Sequence, residues 1–331
     1  MGVAVAGLGD IGALHARNLS HLVPGARLVR LVDQAEVLGK RFGEELAVPC
    51  SPSYAEALAD PEVDAVVIAT PTPLHAEMVI AAAARGRHVF CEKPLALDLE
   101  SGRRAARRTE AAGVCLQVGF QRRFDAGWAA AKQRVDAGDL GEVQLFRVSH
   151  RNRGHPHGGR TDRLGSLFVD MSVHDLDSAR WLIGEVRALS AFASPSWAAL
   201  ARGTDVQTAV IVLRFESDAL GIIDNTRAAG YGFDCAAEVM GETSTLRVGT
   251  SLRSPDLEWL TAQGLRVELP VDHIESHRAA YLEEMRHFIR SVRSGRASGV
   301  GGGDALAALA LALAAEQSFA EHRPVELSGC A

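Results

Sequence analysis

The run Val3 to Gly12, read Val-Ala-Val-Ala-Gly-Leu-Gly-Asp-Ile-Gly, constrains this chain more than any other stretch. Small apolar residues lead straight into Gly7, Gly9 and Gly12, and Ala13-Leu14-His15-Ala16 follows. The pattern is that of a buried strand, a tight glycine turn and the start of a helix. The first glycine makes the turn, the second lets backbone approach a pyrophosphate, and the third lets helix pack on strand. Free N–H groups at the helix N-terminus, around Asp10 and Ile11, supply partial positive charge for phosphate. A second apolar strand, Leu28 to Val32, ends at Asp33 about 20 residues beyond Gly12, where a carboxylate can accept both ribose hydroxyls. The stretch predicts a dinucleotide site held by Gly7, Gly9, Asp10, Ile11, Gly12 and Asp33. Asp33 would repel a 2′-phosphate, and the next residue is Gln34 rather than an arginine. NAD is therefore expected in preference to NADP.

At 331 residues and 47% apolar content, the chain is too long for one core of ordinary size, which predicts two domains. The net charge is −6 with no long run of one sign, which argues against nucleic-acid binding and membrane-surface attraction. Cys50, Cys91, Cys115, Cys235 and Cys330 are scattered, odd in number and without metal spacing, so a reduced cytoplasm is expected. The first strand begins at the N-terminus, so no signal peptide is expected. The longest apolar run, Ala305 to Ala315, is too short and alanine-rich to span a bilayer.

Up to Gly119 strands alternate with helical stretches, which predicts a doubly wound parallel sheet over residues 1–119. Strands are expected at Asp64–Thr70, His88–Cys91 and Val114–Val118, and helices at about Gly12–Leu22, Glu36–Leu46, Tyr54–Ala59, Pro73–Arg85 (capped by Thr72) and Leu99–Ala112. Beyond Gly119 long strands follow one another at Val143–His150, Arg187–Ala193, Val206–Phe215, Leu220–Arg227 and Cys235–Met240. Residues 120–331 are thus expected to form an α+β domain on a large mixed or antiparallel sheet, with the last helix free to pack back on the first domain. Helices are expected at Val169–Leu182, at His277–Ser294 with a stripe of Tyr281, Met285, Phe288, Ile289 and Val292, and after Asp304 as cap. Val206 to Leu213 is apolar on both faces near its end, which suits burial against another subunit and predicts a homodimer or homotetramer.

Two stretches carry chemistry. Cys91-Glu92-Lys93-Pro94 lies at the C-terminal end of an expected strand, the edge of an open α/β sheet where ligands bind. Lys93 there would point into the cofactor crevice, although a lysine at a strand end also reads as a plain surface charge. In Asp170-Met171-Ser172-Val173-His174, the acid and the histidine are four apart, so a helix places them on one face. A carboxylate one turn before a histidine can fix its tautomer and raise its basicity, and the same spacing also suits a surface ion pair. Val173, Leu176 and Trp181 make the packing stripe. His150, His155 and His157 lack ligand spacing and have no cysteine partners, so no metal is expected.

Taken together, several motifs resemble the Gfo/Idh/MocA oxidoreductases over essentially the whole chain. They are Gly7-x-Gly9-x-x-Gly12, Thr70-Pro71-Thr72-Pro73-Leu74-His75, Glu92-Lys93-Pro94, and Asp170-x-x-x-His174-Asp175 followed by Arg180-Trp181-Leu182. The terminal Asp304-Ala305-Leu306 and Arg323-Pro324-Val325 are similar too. Within the family, Gly119 to Asp125, His150-Arg151-Asn152 and Tyr231-Gly232-Phe233-Asp234 resemble the inositol 2-dehydrogenases. The resemblance implies that Lys93, Asp170 and His174 are catalytic and that Thr70, Pro71, His75, Glu92 and Lys93 join the cofactor site. It also implies that Arg123, Asn152 and Tyr231 contact a polyol together with the catalytic trio. The implied reaction is NAD-dependent oxidation of a secondary ring hydroxyl of a cyclic polyol, myo-inositol to 2-keto-myo-inositol. A sugar-ring dehydrogenase or ketoreductase shares those residues, and a non-catalytic NAD or sugar sensor shares the fold. The sequence departs from the pattern at Phe233, where a tyrosine is expected, and in the basic loop Arg153 to Gly159.

Overall fold

Gly2–Ala6, five buried residues in a row, forms β1. It pairs in parallel with β2 (Arg27–Val32) on one side and β4 (Ala65–Ile68) on the other. With β3 (Cys50–Ser51), β5 (His88–Glu92) and β6 (Leu116–Gly119) they make a six-stranded sheet of order β3-β2-β1-β4-β5-β6, every pair parallel. Strand order reverses between β1 and β4, which opens a crevice at the C-terminal ends of those strands. The computed structural model describes residues 1–152, 165–195, 206–227, 229–249, 258–261, 264–267 and 270–327. Its chain divides into two units, Met1–Gln121 with Ala279–Leu309, and Arg122–Arg278 with Ala310–Ala331.

In the first unit the crossovers are α1 (Asp10–His21), α2 (Glu36–Leu46), α3 (Tyr54–Ala59), α4 (His75–Ala84) and α5 (Leu99–Ala111). Val3, Val5, Leu19, Leu31, Phe42, Val67 and Phe90 share one core with Met285, Phe288 and Ile289. Those last three belong to the helix Arg278–Ser294, which the sequence reading assigned to the second domain. Its expected stripe is the right one, and its chain stop, Gly295, has φ +66°. The helix after α3 departs from expectation. Pro71 and Pro73 remove two N–H donors, so the chain closes a 3₁₀ turn over Thr72–Leu74 with Leu74 N–H on Pro71 O, and α4 starts only at His75. Thr72 is thus not the helix cap.

The second unit is built on a seven-stranded mixed sheet. Its strands are β7 (Val143–Arg151), β8 (Val186–Pro195), β9 (Val206–Phe215), β10 (Leu220–Thr226), β11 (Asp234–Gly241), β12 (Thr245–Gly249) and the short Val325–Glu326. Only β10 and β7 pair in parallel; the other neighbours are antiparallel. A helix not foreseen in the sequence, α6 (Ala126–Asp136), buries Trp128 and Ala131 and is capped by Asp125, whose carboxylate accepts the Gly127 and Trp128 N–H groups. The expected single helix over Val169–Leu182 is a five-residue π turn, Phe168–Ser172, running into α7 (Val173–Ile183). Val173 and Leu176 are fully buried as expected, and α7 lies against β7 and β10. The last helix, Gly302–Glu321, begins before its expected cap, and Asp304 instead reaches back from the first turn to the Gly301 N–H. Along β9, Ala209, Ile211, Leu213 and Phe215 are buried while Val210 and Val212 face outward. Among the described residues no helix is long and apolar enough to cross a membrane.

Candidate active site

The first unit presents a dinucleotide cradle. Gly7 has φ +88°, and a Cβ there would sit 2.4 Å from Ala69 O. A Cβ on Gly12 would come within 1.8 Å of Gly7 O, so only glycine lets α1 approach β1 this closely. At Gly9 a Cβ would meet nothing within 4 Å. That open space lies over the first turn of α1, whose N-terminus has no side-chain cap, and Asp10 there is exposed. Uncapped N–H groups over an open backbone fit a pyrophosphate. Asp33 ends β2 with one carboxylate oxygen on Leu8 N–H at 2.6 Å and the other on Ala35 N–H at 2.7 Å. Each oxygen keeps a lone pair for a ribose hydroxyl.

Lys93, half-buried, leaves the C-terminal end of β5 beside the buried Pro94. Thr70 and Pro71 stand at the end of β4, where Thr70 O lies 2.7 Å from His75 Nε2. His75 was expected to bind the cofactor. Instead it is 1% exposed, and its other nitrogen, Nδ1, lies 2.8 Å from Pro94 O. Burial draws its pKa below the ordinary histidine value, with the two carbonyls acting against that, so a neutral ring donates through one nitrogen at a time. Both nitrogens face backbone, leaving neither for a dinucleotide. Glu92 is engaged with His15, as is the buried Glu284. One atom of each of these three lies within 4.8 Å of the others, the one such group of metal-type side chains among the described residues. The contact is a hydrogen bond, His15 Nε2–H to Glu92 Oε1 at 2.8 Å. Burial, and then the Glu92 charge, hold the Glu284 carboxyl well above the usual range, so it remains a neutral acid and a poor metal ligand.

The second unit holds His174, half-buried on the first turn of α7, above a buried polar network. Asp175, 0% exposed, is its hub. Arg122 Nη1 donates to Asp175 Oδ1 at 2.5 Å, Asn225 Nδ2 donates to Oδ2 at 2.9 Å, and His150 Nδ1 lies 3.1 Å from Oδ2. Ser172 Oγ donates to Asn225 Oδ1 at 2.5 Å. The rings of His150 and His174 meet edge to face, 6.5 Å apart. Phe233, standing in place of the expected tyrosine, packs edge-on against His150 and His277 at 5.6 Å each. Burial, then the Arg122 charge, pull the His277 pKa down to about 3, so this wall is neutral.

The other expected substrate residues divide. Asp170 lies in the π turn, four residues before His174, and its Oδ2 accepts from Arg227 Nη2 at 3.2 Å. Arg123 donates from Nε and Nη2 to the two oxygens of Asp177 and stacks 5.8 Å over Trp181, a bidentate pair that fixes its fork against α7. Trp181 is accordingly an arginine platform and not part of the buried stripe. Asn152 ends β7, joined by backbone to Thr226 and Ala229. Tyr231 is 54% exposed, its hydroxyl 3.4 Å from Asp234. Burial raises the Asp234 carboxyl, and one of its oxygens is buried without a hydrogen bond among the described residues. His155, His157 and the basic loop 153–159 lie outside the described residues, as does Cys330. Sequence reasoning gave no role to Arg122, Asp175, Asn225 or His277, although Arg122 and Asp175 lie within motifs that carry the family resemblance. The signal for Asp175 was present, since a charged residue sits among the apolar positions Val173, Leu176 and Ala179.

Residues 1–120 match the oxidoreductase family with an NAD-binding Rossmann fold (GFO/IDH/MocA), and residues 128–247 match the GFO/IDH/MocA C-terminal domain. The chain belongs to this family. It is similar to the scyllo-inositol 2-dehydrogenase (NAD(+)) of Bacillus subtilis (strain 168), 37% identical over 98% of this chain and 95% of that protein. It is 38% identical to the myo-inositol 2-dehydrogenase of Thermotoga maritima over 99% of this chain and 98% of the relative. The crystal structure of a scyllo-inositol dehydrogenase from Lactobacillus casei, with bound NAD(H) and scyllo-inositol, superposes with a TM-score of 0.93, at 25% identity, over 99% of both chains. This oxidoreductase uses NAD, as its cradle and its family together show.

Two predictions arise from this geometry. Asp33→Ala should narrow the preference for NAD over NADP, read as the ratio of kcat/KM for the two cofactors; equal use of both by the unmutated enzyme contradicts the role given to Asp33. The second concerns Asp175. Burial alone would raise its pKa, but the Arg122 and His150 charges and hydrogen bonds outweigh it and bring the value down to about 2. That folded-state value lies below the ordinary 3.8. The stabilisation, about 2 kcal/mol, is therefore complete above roughly pH 4 and is lost as the pH falls toward 2. Denaturant titrations should show this acid limb flattened in Asp175→Asn. At pH 7 that variant should lose about 3–5 kcal/mol, because Arg122 is left as an unpaired buried charge. Unchanged stability at pH 7 would count against the network.

Proposed function

We propose that this enzyme oxidises a secondary ring hydroxyl of a cyclic polyol, an inositol, to the ring ketone. What carries the reading is the combination, in a chain similar end to end to two inositol dehydrogenases, of Lys93 at the mouth of the dinucleotide sheet and His174 at the head of α7. NAD, held by the cradle of the first unit, would supply the hydride acceptor for the carbinol carbon. His174 takes the hydroxyl proton as general base, a task suited to a neutral imidazole near pH 7. Lys93, at the cofactor edge of the first unit, supplies a hydrogen-bond donor of the kind that stabilises alkoxide character in a substrate oxygen. His150, Asp175 and Arg122 hold the ground beneath His174, and Asp170, tied to Arg227, flanks it. Asn152, Tyr231 and the half-satisfied Asp234 offer hydrogen-bond partners for the remaining ring hydroxyls. The free thiols Cys50, Cys91, Cys115 and Cys235 suit a reducing cytoplasm.

The test is a panel of inositol isomers and aldoses followed at the NADH absorbance. Myo- or scyllo-inositol should give the highest kcat/KM. Exclusive turnover of aldoses would move the enzyme to the sugar-ring class, and no turnover with any polyol would favour a sensor. His174→Ala should lower kcat on the order of a hundred- to ten-thousand-fold while leaving the Kd for NAD nearly unchanged. The rising limb of the pH profile near neutrality should disappear with it. Near-normal turnover in this variant would remove His174 from the chemistry.

Self-association belongs to the same proposal. Phe192 (67% exposed) pairs across strands with Val210 (38%), next to Val212 (40%) and Leu220 (50%) on one face of the second unit's sheet. A contiguous apolar face of this kind suits a second copy of the chain. Light scattering at micromolar concentration should give a dimer or tetramer mass, and Val212→Glu should shift it toward the monomer; a monomeric parent contradicts this assembly.

A further inference from the structure

Glu92, Lys93 and Pro94 leave β5 as a segment gripped at each end by a buried histidine. On the near side, His15 Nε2–H donates to Glu92 Oε1 at 2.8 Å. The His15 ring is 0% exposed, set edge-on against Phe90 at 5.2 Å and Tyr281 at 5.9 Å. On the far side, His75 Nδ1 lies 2.8 Å from Pro94 O and Nε2 lies 2.7 Å from Thr70 O, and the Nδ1–H form of the neutral ring donates to Pro94. We propose that His15 and His75 are positioning residues that together fix Lys93 for its substrate oxygen, His15 through the Glu92 side chain and His75 through the Pro94 carbonyl. This rests on the reading of Lys93 given under Proposed function.

Three observations support the clamp. First, a lysine is a flexible four-carbon stem, so the place its amine reaches depends on how firmly its own backbone is held. Here the residues before and after it are both anchored to buried rings. Second, the rings are committed to this task. His75 faces carbonyls with both nitrogens, and His15 turns Nε2 to Glu92 while its Nδ1 is buried with no hydrogen bond among the described residues. Neither ring offers a nitrogen to a dinucleotide. Third, the surroundings make room for Glu92 in this pose. Gly119 is its partner across β5 and β6, and a Cβ there would fall 2.9 Å from Glu92 Oε2 and 3.0 Å from its Cδ. Glu284, a fully buried neutral acid, stands beside the Glu92–His15 pair, 3.8 Å from His15 Nε2, without adding a second negative charge.

The experiment compares His15→Leu, His75→Leu and Gly119→Ala with the parent, each alone and in a Lys93→Ala background. Gly119→Ala pushes the Glu92 carboxylate aside without altering either histidine, so it carries the test for that end if His15→Leu fails to fold. For the other end, His75→Gln, whose amide can still donate to Pro94 O, should keep most of the parent kcat, and a 10-fold or greater loss in it overturns the His75 end of the clamp. His15→Leu, His75→Leu and Gly119→Ala should each lose on the order of 10- to 100-fold in kcat, the size of a displacement near 1 Å at a reacting group. The Kd for NAD, measured by titration, should stay within about twofold. His15→Gln, whose amide can still donate to Glu92, should recover most of the lost kcat. In the Lys93→Ala background the same substitutions should cost less than about twofold, because a residue acting through Lys93 has nothing left to position. Full turnover in both leucine variants, or equal losses in both backgrounds, overturns the clamp. A Lys93→Ala enzyme with near-normal turnover overturns instead the reading of Lys93 itself.

Discussion

The first unit depends on one close approach, that of α1 to β1 at Gly12 and Gly7. A single methyl at Gly12 would collide with the Gly7 carbonyl, and one at Gly7 with Ala69. Because nothing stands between them, the uncapped N-terminus of α1 opens directly at the crevice where strand order reverses. The rest of that edge is arranged relative to it. Asp33 is tied by its Oδ2 to Leu8 N–H, so the residue expected to meet the ribose is fastened to the glycine turn expected to meet the pyrophosphate. On the other side of β1, the turn after β4 and the segment after β5 are joined through His75. The spacing of the whole cofactor edge thus descends from two glycines that cannot be exchanged.

The second unit solves a different problem, how to bury charge beside the half-buried His174. Asp175, Arg122, His150 and Asn225 are each at most 4% exposed. A lone carboxylate in that position would be driven to protonate by burial; with Arg122 and His150 around it, it remains ionised. Arg122 in turn lies 5.3 Å over the Trp128 ring, so the cation has an aromatic face as well as its carboxylate partner. This network links the 3₁₀ turn Gln121–Phe124, β7, β10 and α7, and so fixes the start of α7, where His174 stands.

Much of this was legible in the chain. The glycine motif, the strand-ending Asp33 and the alternation of strand and helix gave the first fold class, because a parallel sheet covered on both faces writes itself as short continuous apolar runs. The Lys93 and His174 motifs could be read from their places at a strand end and on a helix. What escaped notice has physical causes. The helix Ala126–Asp136 buries little beyond Trp128 and Ala131, so its periodicity is faint. The return of Met285, Phe288 and Ile289 to the first unit leaves no local trace, since an apolar stripe does not name the surface it meets. Arg122 and Asn225 read as ordinary polar residues until the fold brings them to one carboxylate 50 or more residues away.

At Phe168–Ser172 the expected helix changes its winding to a π turn. Asp170 and His174 are four apart, and an α-helix would stack them. The wider π winding still keeps residues four apart on one side of the coil, and Asp170 accepts from Arg227 just beyond β10. Asp175, next to His174 in sequence, is fully buried and is held by Arg122, His150 and Asn225. Asp170 has 18% side-chain exposure and is the more open of the two acids. Burial thus separates two carboxylates that the sequence presents about one helical turn apart, and π turns are often found at functional sites.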